Sequence, residues 1–250
     1  EADVIHVAVP GTDVSVEDVG FSWSPYKLLE GDVHVAALSV TGLTVVLEGG
    51  DEKTEQKSER SEALTLPDIS LPVGLIVERI LITDAKIIDG FSDDDLFVLN
   101  TLSLGLSGRL DQLEISELAV DTPEYGGKLR GHVRFSQNWP TSIDGDWWFE
   151  TAGISRLEGN LAIAGNLEEG KAIVNLVKPE PVNVDLSFKN LLEELAWRLA
   201  ARADSFDLAS ISGDLPKLLT GLDIAASGTI ETYSGRVELD VESADFVPLH

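Results

Sequence analysis

Acid–base, metal or nucleophilic chemistry in this chain would fall to 44 carboxylates and four histidines, because it has no cysteine. The histidines, His6, His34, His132 and His250, are far apart in sequence. His34 and His132 alternate with apolar residues, which puts them on the wet side of extended segments and reads as solvated imidazole. Without thiols there is no thiolate metal site, thiol catalysis or disulfide framework. Asp93-Asp94-Asp95 offers oxygen donors for calcium, but it lacks the alternating ligands and closing Glu of a known loop and reads as a solvated turn. No Gly-x-Ser-x-Gly elbow, His-Glu-x-x-His pair, phosphate-cradling Gly-x-x-x-x-Gly-Lys loop or dinucleotide fingerprint is present. Carboxylates are too numerous for any one pair to stand out as acid and base. The chain reads as a protein that is not an enzyme and uses no cofactor or metal.

Charge narrows the partners further. The 250 residues carry 18 basic and 44 acidic side chains, a net charge of −26. Nucleic acid is excluded, since polyphosphate binding draws on clustered Lys and Arg, and an anionic leaflet would repel the chain for the same reason. Apolar residues at 43% and charged residues at 25% are ordinary for a folded protein. No apolar run approaches the ~20 residues of a bilayer crossing. Even Leu75 to Ile88 is interrupted by Glu78, Arg79 and Asp84. Having no methionine and beginning Glu1-Ala2-Asp3, the sequence reads as a processed product or an excised piece.

The elements that must position any site are strands. Apolar residues recur at period 2, as in Val33 and Val35, Leu129, Val133 and Phe135, Val182, Val184, Leu186 and Phe188, and Val237, Leu239 and Val241. Roughly fifteen such runs predict a mainly β chain. One-sided alternation predicts antiparallel pairing. At ~4.8 Å per strand the sheet is expected to be elongated. Residues 49–63 have no large apolar side chain and are expected to form a mobile polar loop. From Asn190 to about Ala203, Leu191, Leu192, Leu195 and Leu199 form one stripe behind a capping-box pair, Asn190 and Glu193, which predicts one amphipathic helix near 190–203. Trp197 falls opposite that stripe, so the helix reads either as a connector packing its leucines on the sheet or as one whose exposed Trp meets a membrane interface or a partner.

A loose apolar-x-Gly-x-apolar repeat centres on Gly31, Gly108, Gly131, Gly145, Gly159 and Gly228. Glycine weakens a strand, so six in the apolar register call for bends of a sheet curling round its apolar face, or for close approach of something to it. Gly131, Gly145 and Gly159 are spaced by 14, which suits successive strands and would align them as a trough.

Particular segments resemble a known family. Val14-Ser-Val-Glu-Asp-Val-Gly-Phe-Ser-Trp23-Ser-Pro25, with Leu28-Leu29-Glu-Gly31 and Leu38 to Leu47 after it, resembles the region just after the membrane anchor of TamB proteins in the AsmA-like group. Leu64-Thr-Leu-Pro67, Leu75 to Ile87, and Gly127 to Val133 leading into Asn138-Trp139-Pro140 continue the resemblance, which spans Val14 to about Phe188. It implies a single periplasmic β-groove segment over 1–250, a curled antiparallel sheet of the β-taco type, in a protein anchored in the inner membrane of a diderm bacterium. It also implies partners: phospholipid, an outer-membrane TamA-like protein, and the remaining segments of its own full-length chain. On this reading acyl chains lie along Val33, Val35, Val45, Leu129, Gly131, Val133, Phe135, Gly145, Trp147, Phe149, Gly159, Leu161, Ile163, Val184 and Leu186, chosen by alternation alone. A scaffold for outer-membrane proteins acting by β-augmentation is the second reading, and a closed β-sandwich spacer the third.

Overall fold

Alternation produces strands almost everywhere that it occurs. The computed structural model describes residues 5–9, 11–47, 69–92, 94–135, 138–192, 194–212, 217, 219–230 and 232–243. The polar loop expected at 49–63 lies outside them. The chain divides into two units, an N-terminal one (1–62 and 66–135) and a C-terminal one (63–65 and 136–250).

The N-terminal unit contains β1 (Ile5–Val9), β2 (Thr12–Val16), β3 (Asp18–Trp23), β4 (Asp32–Thr41), β5 (Thr44–Leu47), β6 (Leu71–Asp89), β7 (Asp95–Leu110), β8 (Gln112–Asp121) and β9 (Tyr125–Arg134). Its sheet runs β1-β2-β5-β6-β7-β8-β9, with β4 also on β6 and β3 on β4. Antiparallel pairing holds except beside β6. That 19-residue strand takes β4 along Gly74–Thr83 and β5 along Lys86–Asp89, both parallel. The sheet is mainly antiparallel, as expected, and becomes mixed at β6. A 3-10 turn, Pro25–Glu30, links β3 to β4 and ends on Gly31 at φ 85, so Gly31 belongs to a turn and not to the strand repeat.

The C-terminal unit contains β10 (Thr141–Thr151), β11 (Ile154–Gly165), β12 (Glu169–Lys178), β13 (Val182–Lys189), β14 (Ala196–Asp207), the one-turn helix α1 (Leu208–Ile211), β15 (Leu219–Gly228) and β16 (Tyr233–Ser243). Every strand pairs antiparallel with the next in sequence. Polar side chains make the turns. Asn166 Oδ1 accepts from the amides of Glu168 and Glu169 at 2.8 and 2.9 Å, an Asx turn between β11 and β12. Asn190, at φ 54, ends β13 in the left-handed conformation that asparagine tolerates.

The helix expected near 190–203 is not formed: Ala196–Asp207 is strand β14. The leucine stripe competes with a second pattern. Trp197, Leu199, Ala201 and Ala203 alternate with Arg198, Ala200, Arg202 and Asp204, and in register with β13 and β15 that alternation buries Ala201 and Ala203. Tertiary pairing on both sides overrides local helix propensity. The molecule's one described α-helix instead follows at Leu208–Ile211, capped by the Asp207 carboxylate accepting from the Ala209 amide at 3.1 Å.

Candidate functional site

Register gathers the apolar side chains of each unit into rows that cross the strands. In the C-terminal unit one row runs Ile143, Ile163, Ala172, Leu186, Leu199, Ala226, and the next Gly145, Leu161, Val174, Val184, Ala201, Ile224, Val237. Trp147 opposite Gly159 and Phe149 opposite Leu157 extend this face along β10 and β11. In the N-terminal unit the corresponding rows are Phe21, Leu38, Ile80, Leu104, Leu118, Leu129 and Val35, Val77, Leu106, Ile115, Gly131, followed by Val33, Leu75, Gly108, Leu113, Val133.

These faces are only partly covered. Among the described residues the buried apolar side chains are Val77, Ala85, Leu99, Ala172, Val182, Ala201, Ala203 and Phe206. Most members of the rows are half-buried by their own neighbours. A sandwich would cover them with a second sheet ~10 Å away. Cover is local in the C-terminal unit, where Ile211 of α1 packs on the cluster of Val182, Ala203 and Phe206. At β3 the N-terminal face ends in Val19, Phe21 and Trp23, which are 45%, 60% and 43% exposed.

Of the residues expected to line one surface, Val33, Val35, Leu129, Gly131 and Val133 share the face of the N-terminal unit, and Gly145, Trp147, Phe149, Gly159, Leu161, Ile163, Val184 and Leu186 share that of the C-terminal unit. All are half-buried except Gly159, which is buried. Phe135 lies one residue past β9, its amide donating to the Asp111 carbonyl at 2.7 Å. Val45 stands apart. It pairs with Ile87, and Ile87 with Phe97, a position of β7 that points away from Leu102, Leu104 and Leu106. Alternation could not reveal which side of the sheet each run faces. The rows also include Val174 of β12, and Leu199, Ala201 and Ile224, the last three overlooked because β14 read as a helix and β15 is diluted by alanine.

The glycines are partners of large side chains. Gly145 faces Leu161, Gly159 faces Trp147, Gly170 faces Phe188, Gly228 faces Trp197, and Gly108 faces Leu75 and Leu113. A Cβ on Gly159 would stand 2.8 Å from Trp147 Cζ2 and would collide with the Asn175 carbonyl. The indole therefore lies where a side chain would be, an arrangement also used to rescue strand glycines in designed sheets. Among the described residues Trp147 Nε1 then has no hydrogen-bond partner, at a cost of about 1–3 kcal/mol. Gly145 and Gly159 sit in successive rows, not in one, so they do not align as a trough. None of Gly108, Gly131, Gly145, Gly159 and Gly228 has positive φ, so backbone conformation is not what requires them.

Bulges, not glycines, interrupt the N-terminal sheet. Register shifts at Val77/Ile80, Gly105/Leu106 and Ile115/Leu118 fall on the consecutive pairs β6–β7, β7–β8 and β8–β9, and another at Ser22/Trp23 falls on β3–β4. Each adds a residue and increases local twist and bending. They also restore the apolar side after the polar doublets Glu78-Arg79 and Ser116-Glu117, a signal visible in the sequence as two polar residues inside a strand with no turn residue.

The opposite face of the C-terminal unit is charged and hydrogen-bonded, whereas that of the N-terminal unit also carries Val45, Ile87, Phe97 and Leu99. Asn175 Nδ2 donates to Asn160 Oδ1 at 2.8 Å, and Arg202 pairs with Asp223 at 3.3 Å. Lys178 and Arg156 both reach Glu158, at 2.7 and 3.0 Å, while the Arg156 guanidinium lies 4.2 Å over the Trp148 ring. The hydrogen bond from Lys178, helped by its charge and by Arg156, holds the Glu158 carboxyl below its ordinary value of 4.5. His34 departs from the solvated reading. Its side chain is 16% exposed, its Nε2 lies 2.8 Å from Glu78 Oε1, and its Nδ1 is buried.

Sheets with whole apolar rows that are only locally covered define a class of β proteins that present a broad apolar surface. The chain belongs to the TamB family: residues 51–250 match the TamB N-terminal domain. No curated protein and no solved structure matches it. The family forms a non-enzymatic transport and assembly module of the cell envelope, with its role in outer-membrane assembly and lipid transport. No described helix is long and apolar enough to cross a membrane.

Proposed function

We propose that the chain shields phospholipid acyl chains on its apolar faces in the periplasm and lets them move between the inner and outer membranes. The observation that carries this reading is the half-burial of whole rows of Leu, Val and Ile with no second sheet among the described residues to cover them. Each Å² of acyl surface removed from water contributes about 25 cal/mol, which holds a chain. The rows are aliphatic and nearly uniform across strands, so a chain gains little by stopping at any one place and can slide. Within the family framework the working unit is the full-length protein with its anchor in the inner membrane and a TamA-like partner at the outer membrane.

Photo-crosslinkers at Leu161 and Leu129 are expected to capture phospholipid, whereas those at the adjacent positions Asn160 and Arg130, on the other face, are not. Equal capture at both sets would remove the reading. Native mass spectrometry of the purified chain, followed by lipid extraction, identifies what is carried.

A second reading, reception of a strand from an outer-membrane protein, is favoured by one feature: among the described residues β16 pairs with β15 alone and leaves one edge open. Backbone methylation of a strand peptide would abolish such binding and leave lipid capture at Leu161 unchanged.

A further inference from the structure

The polar face of β12–β16 contains a depression of ≈770 Å³. Cross-strand register sets Lys171, Ser187, Arg198 and Ser227 side by side in one row. The neighbouring row brings Asp185 and Arg236 to either side of Ala200 and Ala225, whose small side chains form the floor. Lys171 and Arg198 are two strands apart, so their Cα atoms are ~9.6 Å from each other with a serine hydroxyl between.

With 44 acidic side chains against 18 basic ones, cations have partners in excess. Arg109, Arg134, Arg156, Arg202 and Arg236 each reach a carboxylate. Arg198 makes no ion pair among the described residues, although Asp185 stands one row and one strand away. Lys171 makes none either. Arg79, Lys86, Lys128 and Lys189 also make no ion pair among the described residues, so what marks this place is that two such cations share one row with serines. Arg236 is held by Glu238 at 2.6 Å, which fixes it at the rim. Two unclaimed cations flanking a hydroxyl, over a floor of alanines, form a seat for a tetrahedral oxyanion: the planar guanidinium donates two parallel N–H bonds, the ammonium supplies charge, and serine hydroxyls donate to the remaining oxygens.

We propose that Arg198, Lys171 and Ser187 form a binding site for a phosphate group on the face opposite the apolar rows. The site lies outside the acyl-chain reading and does not depend on it. A phosphate can arrive as a lipid headgroup or as a soluble anion, and the chemistry of the seat is the same for both.

The test titrates the intact 250-residue chain with inorganic phosphate, followed by calorimetry and by amide shifts in β12–β16, and separately with vesicles of phosphatidylglycerol and of phosphatidylcholine. Saturable phosphate binding is expected, weakened at least tenfold by Arg198→Gln and by Lys171→Gln and unaffected by Arg202→Gln, a paired arginine on the same strand. Arg198→Lys should recover part of the loss. Vesicle binding that depends on Arg198 without binding of free phosphate would also support the site and assign its source to a lipid headgroup. No binding of either probe, or equal weakening by Arg198→Gln and Arg202→Gln, would overturn it. All the substituted side chains are exposed, and circular dichroism checks that the sheet survives each change.

Discussion

Two glycines of similar sequence context have different reasons to be glycine. Gly159 has ordinary φ but no room, because a Cβ would meet the Asn175 carbonyl and the Trp147 ring. Gly31 has room but sits at φ 85. Gly159→Ala is therefore expected to cost about 1–3 kcal/mol by overpacking, as read from urea midpoints. Trp147→Ala should relieve little of that, since the backbone contact remains. Gly31→Ala should cost about 1 kcal/mol through left-handed strain and Gly31→Asn less. Glu158 gives a pH prediction. Its folded carboxyl titrates below the unfolded value of 4.5, so its contribution is complete above that pH and is lost as pH falls through the folded value. The melting difference between wild type and Glu158→Gln should be flat from pH 5 to 8 and close below about 4.5; a gap that opens as pH rises above 6 would refute the assignment. At this scale the sequence was partly legible. Apolar alternation located the face residues, but the partner of His34 is Glu78, 44 positions away, and no spacing rule connects them.

Period-2 patterning located most strands, and it failed where alanine made the pattern ambiguous. In Ala196–Asp207 alanines serve both faces, so leucines at helical spacing dominated the reading, although alternating arginines at Arg198 and Arg202 marked the wet side. A substitution separates the two states. Ala200→Thr on the polar face of a strand should be neutral or stabilising by a few tenths of a kcal/mol, whereas a helix would lose about 0.5 kcal/mol. The parallel pairs on β6 were not legible either. Both β4 and β5 alternate like antiparallel strands, and only the length of β6 hints that it serves two neighbours on one side.

For the chain as a whole, the family and the mainly β class were readable from local words and alternation. The faces of individual runs were not, because register is decided by bulges and partners. The energetic prediction follows from how few side chains are fully buried among the described residues. A compact protein of 250 residues would unfold with a heat-capacity change of about 3.0–3.8 kcal/mol/K. Calorimetry of the lipid-free chain should give less than about 3 kcal/mol/K, since most of the apolar rows are only half-buried when folded. Lipid loading should raise both that value and the melting temperature, because a ligand held only by the folded state stabilises it by mass action. A compact-protein value without lipid would mean that the rows are closed.

The strictly sequential pairing of the C-terminal unit has a consequence for how it opens. Each interior strand is held by its two sequence neighbours and β16 by one, so the strands behave like links in a one-dimensional array whose end can fray. Amide hydrogen exchange is then expected to show a gradient, with β16 exchanging first, β15 next, and β13 and β12 last. β6, braced by β7 on one side and by β4 and β5 on the other, should be among the most protected strands of its unit. Uniform protection from β12 to β16 would mean that these strands open together, and that losing the last one unravels the rest.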